Sequence, residues 1–264
     1  MINPNRLSFT GLLAEVITAL LLAALPADAQ QQAAGATPSK NQSKAGDKSN
    51  ADPKPEASPQ SGTSNDRLFY ALPNFLTMEN AGQLPPLTSW QKLKVVARGS
   101  FDYVEYPWYG ALAGISQAEH SEHGFGQGAA GYGKRYGASF ADGTIENFMT
   151  GAILPSLLRE DPRFYQSGTG TFWHRTGYAI SRIFVTRTDS GHEQFNFSEI
   201  IGSALSAGIS TYSYHPRDDR NLPNTASVWG SLVGYDTITI VVKEFWPDIR
   251  RKLSHKPQHE ALAP

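Results

Sequence analysis

The chain has 264 residues, with 23 lysines and arginines against 24 aspartates and glutamates, and it contains no cysteine. The charges balance without blocks of like sign, so the broad basic footprint that nucleic acid or an acidic lipid surface requires is missing, and no nucleic-acid partner is expected. The lack of cysteine excludes internal disulfides, a disulfide-linked partner and a lipid-anchored cysteine.

Residues 1–29 read as a cleavable signal peptide. Arg6 precedes an apolar run from Gly11 to Leu25, followed by Pro26 and the small-residue site Ala27-Asp28-Ala29. A membrane span needs roughly 20 apolar residues, and this run is shorter and interrupted by Glu15. Export is therefore expected, to the periplasm or to association with the outer membrane. Residues 30–66 are rich in Gln, Ala, Ser, Lys and Pro and lack large apolar side chains, so a disordered tail is expected. Its lysines Lys40, Lys44, Lys48 and Lys54 are matched by Asp47, Asp52, Glu56 and Asp66, which gives no reason to assign it a phosphate or membrane role. Residues 67–253 have the composition of one folded domain, with no internal linker, and residues 254–264 form a short flexible tail.

Within the domain, shorter helices are predicted at Ser89 to Arg98, Trp108 to His120 and Trp173 to Val185. A longer one runs from Tyr132 to Leu158, where Gly133, Gly137 and Ala141 form a small-residue ridge for close helix approach and Pro155 should kink or break the far end. Between Phe197 and Tyr214 the apolar positions Phe197, Ile201, Leu205, Ile209 and Tyr212 recur at steps of three and four, with Asn196 or Ser198 as cap. From Thr225 to Phe245 the same period holds at Val228, Leu232, Tyr235, Val242 and Phe245, with Asn224 as N-cap and Pro247 as the stop. The sum is an all-α bundle of five or six helices. An outer-membrane β-barrel is the alternative, since a leader with abundant Gly and Tyr also suits one. Along Ile200 to Tyr214, however, both alternating faces mix apolar with polar residues.

Candidate site residues fall into three groups. Glu119-His120-Ser121-Glu122-His123 places His120 and His123 three apart, a spacing that could put two imidazoles on one helical face as metal ligands, or that marks a polar helix end. Asp142, Glu146, Arg182, Glu199 and Asp236 stand amid apolar and small neighbours, and Asp142 and Glu146 share a face. If these faces converge they make a structural ion network or a functional pocket; otherwise they are solvated. Arg159-Glu160-Asp161-Pro162-Arg163-Phe164-Tyr165 reads as a helix exit held by ion pairs, and Gly131 to Gly137 as packing glycines, since it lacks phosphate-loop spacing. No G-x-S-x-G occurs, and no motif calls for a cofactor.

Leu72-Pro73-Asn74-Phe75, Gly131 to Gly137, Asp161 to Tyr165 and Phe245-Trp246-Pro247-Asp248-Ile249 together resemble a group of exported bacterial proteins of unknown function. The resemblance implies a single exported domain and transfers no activity. Two classes of function remain open: a non-enzymatic envelope module that packs against an envelope protein or a membrane surface, and an envelope hydrolase or metal-binding enzyme built on the acids, with His120 and His123 for the metal.

Overall fold

The computed structural model describes residues 63–79 and 84–254; the expected leader, most of the expected N-terminal tail and residues 255–264 lie outside them. The fold is a helical bundle. Its helices are α1 (Ser89–Ser100), α2 (Glu105–Ala118), α3 (Gly128–Phe148), α4 (Leu154–Leu158), α5 (Phe172–Phe184), α6 (Phe197–Ser213) and α7 (Leu222–Ser254). Thr88 opens α1 with a reciprocal capping box to Gln91, Thr171 caps α5, and Asn196 caps α6 by accepting from the Glu199 amide, as its sequence position suggested.

Seven short strands decorate the bundle: β1 (Arg67–Leu68), β2 (Leu72–Pro73), β3 (Thr77–Met78), β4 (Glu160–Asp161), β5 (Phe164–Tyr165), β6 (Val185–Thr188) and β7 (Glu193–Phe195). β1 pairs with β2 and β4-β6-β7 form a sheet, all antiparallel, whereas β3 runs parallel to β5 with Thr77 opposite Phe164. Such short strands close no barrel among the described residues, so the barrel alternative is not supported.

The expected disruption near Pro155 takes the form of a change in helical winding, whereas the expected stop at Pro247 fails. Pro155 cannot donate to the carbonyl four residues back, and the chain responds with a π-helical turn over Met149–Ile153 that carries α3 into α4 without a stop. Pro247 lies inside α7, which continues to Ser254. The carbonyl that Pro247 leaves without its helical donor belongs to Lys243, and the Gln166 side-chain amide donates to it instead. The next carbonyl, on Glu244, accepts from Arg175 at 2.6 Å. The start of α7 also differs from expectation: it begins at Leu222, and the Asn221 side chain, not Asn224, takes the cap position by accepting from the Asn224 amide at 2.9 Å.

The small-residue ridge is corrected as well. A methyl group added at Gly133 or Gly137 would meet nothing within 4 Å, whereas one at Gly143 would stand 2.0 Å from the Tyr109 hydroxyl of α2. Gly151 and Gly202 are similarly tight, against Val96 and Thr150 respectively, so α1 and α6 approach at the π turn. The folded region also starts before Arg67: Ser64 donates its amide to Phe75, Asp66 accepts from Asn74, and Arg250 reaches Asp66 at 3.0 Å. Phe69 and Tyr70, in the β1–β2 turn, pack their rings on the fully buried Trp246.

Among the described residues, more buried positions are polar or charged than hydrophobic. Phe75, Val95, Val96 and Ala152 form a small apolar core, and ion pairs hold much of the rest. Lys92 is 1 % exposed and donates to the Pro155 and Glu160 carbonyls and to both carboxylate oxygens of Asp189. Asp161 grips Arg163 and accepts from the Tyr165 hydroxyl. Glu244, with no exposed surface, accepts from Arg175 Nε at 2.8 Å and from the amides of Ser167 and Gly168. Removing one partner of a buried pair strands the other charge, so Glu244→Ala should cost about 3–5 kcal/mol in chemical denaturation. A loss within the range of an exposed pair, about 0–1 kcal/mol, would show that Arg175 finds water or another acceptor.

Candidate functional site

The helix periodicity that aligns Asp236, Thr239, Ile240 and Lys243 on one face of α7 turns all four into a single cavity of about 280 Å³. Glu199, in the first turn of α6, enters the same cavity, as do Glu105 at the start of α2 and Arg182 from α5. Asp236 and Lys243 lie deep in the bundle, and the surface they retain faces the cavity.

The structure brings together three of the five charged residues singled out from sequence. Glu199 and Asp236 face each other closely enough for each carboxyl to influence the other's protonation. Glu146, on α3, lies within the electrostatic reach of both. Burial, reinforced by Asp236 and Asp142, pushes the Glu146 carboxyl up to about 9. Burial also drives Glu199 well above the usual carboxylate range, followed by Asp236 and Glu146, and it raises Asp236 against the opposing influence of the Glu199 hydrogen bond and the Lys243 charge. One oxygen of Glu146 and one of Glu199 are buried without a partner among the described residues.

The other two residues go elsewhere. Arg182 lines the cavity, but its guanidinium pairs with Glu193 of the β6–β7 hairpin at 2.7 Å rather than with the acids. Asp142, one turn before Glu146, accepts from Ser210 Oγ and Tyr214 OH, both at 2.5 Å, and pairs with His215 Nε2 at 3.1 Å. The other imidazole nitrogen of His215 meets Glu122 at 3.0 Å. Burial opposes a charge on His215, but hydrogen bonds to Asp142 and Glu122 outweigh it and push the imidazole up to about 10. This clasp ties the loop before α3 and the body of α3 to the end of α6.

His120 and His123 face solvent with ring centres 6.2 Å apart, and His120 Nδ1 accepts from the Gln127 amide at 2.8 Å. Among the described residues, no group of three or more His, Asp or Glu side chains is placed to hold a metal ion. Gly131 to Gly137 lies inside α3, where Gly131 packs against the Gly126 carbonyl.

Sequence reasoning missed Lys243, Glu105, Glu122 and His215. Lys243 carried a usable signal, because it stands seven residues, two full turns, after Asp236. Glu105 is pushed up to about 7, first by burial and then by Asp102, with a hydrogen bond from Tyr109 opposing. Nothing local distinguishes Glu122 or His215, since their partners come from other elements. No family model, curated protein or solved structure matches the chain, so the site is read from its own chemistry.

Glu146 and His215 bind protons more tightly in the folded state than when unfolded. Their contributions to stability are complete below the ordinary carboxylate and imidazole values and are lost as pH rises through about 9 and about 10. The melting temperature should therefore fall progressively from the ordinary carboxylate value up to about pH 10, and Glu146→Gln, neutral at every pH, should lose less of its melting temperature over that range than the parent. Identical alkaline melting curves for the two proteins would mean that Glu146 does not keep its proton.

Proposed function

We propose that this chain is an exported cell-envelope protein that works as a non-enzymatic interaction module, with the outer face of α6 seated among the acyl chains at a membrane surface. The observation that carries this reading is the orientation of α6. Its apolar stripe, Phe197, Ile201, Leu205, Ile209 and Tyr212, is exposed along its whole length. Its inward face is Ser198, Gly202, Ser203, Ser206, Ala207, Ser210 and Thr211. Water favours the opposite arrangement, whereas an apolar environment favours small and polar residues between helices and apolar residues outside.

The same stripe argues for lipid over a protein partner. Between Phe197 and Tyr212, every exposed position of α6 is an aliphatic or aromatic carbon surface with no hydrogen-bonding group. Protein interfaces carry polar rims and about one hydrogen bond per 100–200 Å². Phe195 extends the stripe at its start by packing its ring 5.0 Å from Phe197, and the phenol of Tyr212 ends it. Fifteen residues of helix rise about 22 Å, less than the roughly 30 Å hydrocarbon core. No helix among the described residues is long and apolar enough to cross a membrane. Lying in the interface is therefore the geometry that fits the stripe. Export itself is supported by the leader pattern of residues 1–29.

Flotation of the chain lacking residues 1–29 with phosphatidylcholine vesicles tests the contact. The protein should float with the vesicles and resist salt, because the stripe is uncharged. Leu205→Glu should weaken partitioning roughly tenfold or more, since burying one large aliphatic side chain is worth about 1.5–3 kcal/mol. Recovery of the parent protein only in the vesicle-free fraction would end the membrane reading, and retention of an epitope-tagged full chain in the cytoplasm would end the export reading.

A second reading, an envelope hydrolase, draws on one observation: two carboxyls, Glu199 and Asp236, line one cavity, and a protonated and an ionised carboxyl can act as acid and base toward a bound water. It predicts turnover that Glu199→Gln abolishes while leaving vesicle binding intact.

A further inference from the structure

The cavity between α6 and α7 contains charges that the protein does not match internally. Most of the charged residues lining it have partners: Glu105 bonds with Tyr109, and Arg187 lies 4.5 Å over the Tyr165 ring. Glu160 accepts from Gln194 at 2.7 Å and from the Ser198 amide at 2.9 Å, Asp161 is bound by Arg163, and Arg182 is bound by Glu193. Glu199, Asp236 and Lys243 are different. Glu199 Oε1 is buried with no partner. Lys243 lies deep in the bundle, where burial lowers its hold on a proton against the attraction of Asp236 and Glu199, and its side-chain nitrogen makes no hydrogen bond or ion pair among the described residues. Unmatched buried donors, acceptors and charges each cost stability, and a fold that keeps several around one cavity is poised for something to complete them.

The chemistry of that ligand follows from the placement of the charges. Asp236 and Lys243 are two turns apart on one face of α7, about 10 Å along the axis, with Glu199 beside Asp236. A simple cation would satisfy the carboxyls and be repelled by Lys243. A simple anion would do the reverse. Only a molecule with a cationic group at one end and an anionic group at the other completes both. The volume of about 280 Å³ is at the lower end of ligand pockets, so the guest is small. We propose that this cavity binds a small zwitterion of the amino-acid class, its ammonium received by Glu199 and Asp236 and its carboxylate by Lys243. The ammonium displaces a proton held by these burial-raised carboxyls, and that proton leaves to solvent. The site is independent of the membrane contact, which uses the opposite face of α6.

Isothermal titration calorimetry on the chain lacking residues 1–29 tests the assignment, with glycine, β-alanine, 4-aminobutyrate and 6-aminohexanoate as probes and butylamine and butyrate as single-charge controls. At least one of the four zwitterions should bind about tenfold or more tightly than both controls, the scale of one charged hydrogen bond. Lys243→Met removes an unmatched buried charge, so the variant should fold, as judged by circular dichroism, and its affinity for that zwitterion should drop to the level of butylamine. Asp236→Asn should cost a comparable factor. No zwitterion binding, butylamine binding as tightly as the best zwitterion, or parental affinity in folded Lys243→Met would each overturn the proposal. The comparison among ligands on the unmodified chain decides the matter even where a variant does not fold.

Discussion

Glu244 carries a carboxylate into the interior with no exposed surface, and much of the bundle is arranged to compensate it. Arg175 from α5 and the amides of Ser167 and Gly168 close around it, which fixes the chain before α5 to α7. One residue earlier, the Lys243 carbonyl takes the Gln166 amide, and two residues later Trp246 is buried under Phe69 and Tyr70. A helix that proline would otherwise interrupt thereby continues through Pro247, because its loosened carbonyls have donors from another element. The rotation of α7 that this anchoring sets is what turns Asp236 and Lys243 into the cavity.

Compensation of this kind recurs across the interior. Lys92, Asp161 and His215 each have their charge met from two or more directions, and Lys92 and His215 join elements far apart in the chain. A core built this way gains little from burial of carbon and depends on geometry, since a buried pair is useful only when both partners are complete. Among the described residues, buried atoms without partners occur elsewhere too, on Asn74, Gln117, Arg135 and Trp246, but the incomplete carboxyls are those of Glu146 and Glu199, where α3, α6 and α7 meet. The apolar surface displaced from the core is found outside, on α6 and on exposed residues such as Trp90, Leu157, Phe172 and Trp173. Polar interior and apolar exterior are two consequences of one distribution of side chains.

The periodicity of α6 was legible in the sequence down to its cap at Asn196, and so were the approximate positions of the other long helices. The direction in which the α6 stripe faces was not. An amphipathic repeat specifies that one side of a helix is apolar, but the rotation of that helix is chosen by what packs against it, here Thr150 and Leu154 against Gly202. The same limit applies to the acids. Asp142 and Glu146 could be placed on one face from their spacing, yet Asp142 turned to His215 and Glu146 to Asp236, because each carboxyl answers to neighbours supplied by α6 and α7.

Sequence alone therefore determined what is local: the helical rhythm, a cap for α6 at Asn196 or Ser198, and the charged turn around Asp161 and Arg163. These depend on residues within a turn or two of one another, whose interactions are fixed by backbone geometry. Tertiary structure decided which prolines could be tolerated, which face of α6 looks outward and which charges remain unmatched. Each of those outcomes depends on donors, acceptors and volumes contributed by distant parts of the chain, and it exists only once the elements are packed.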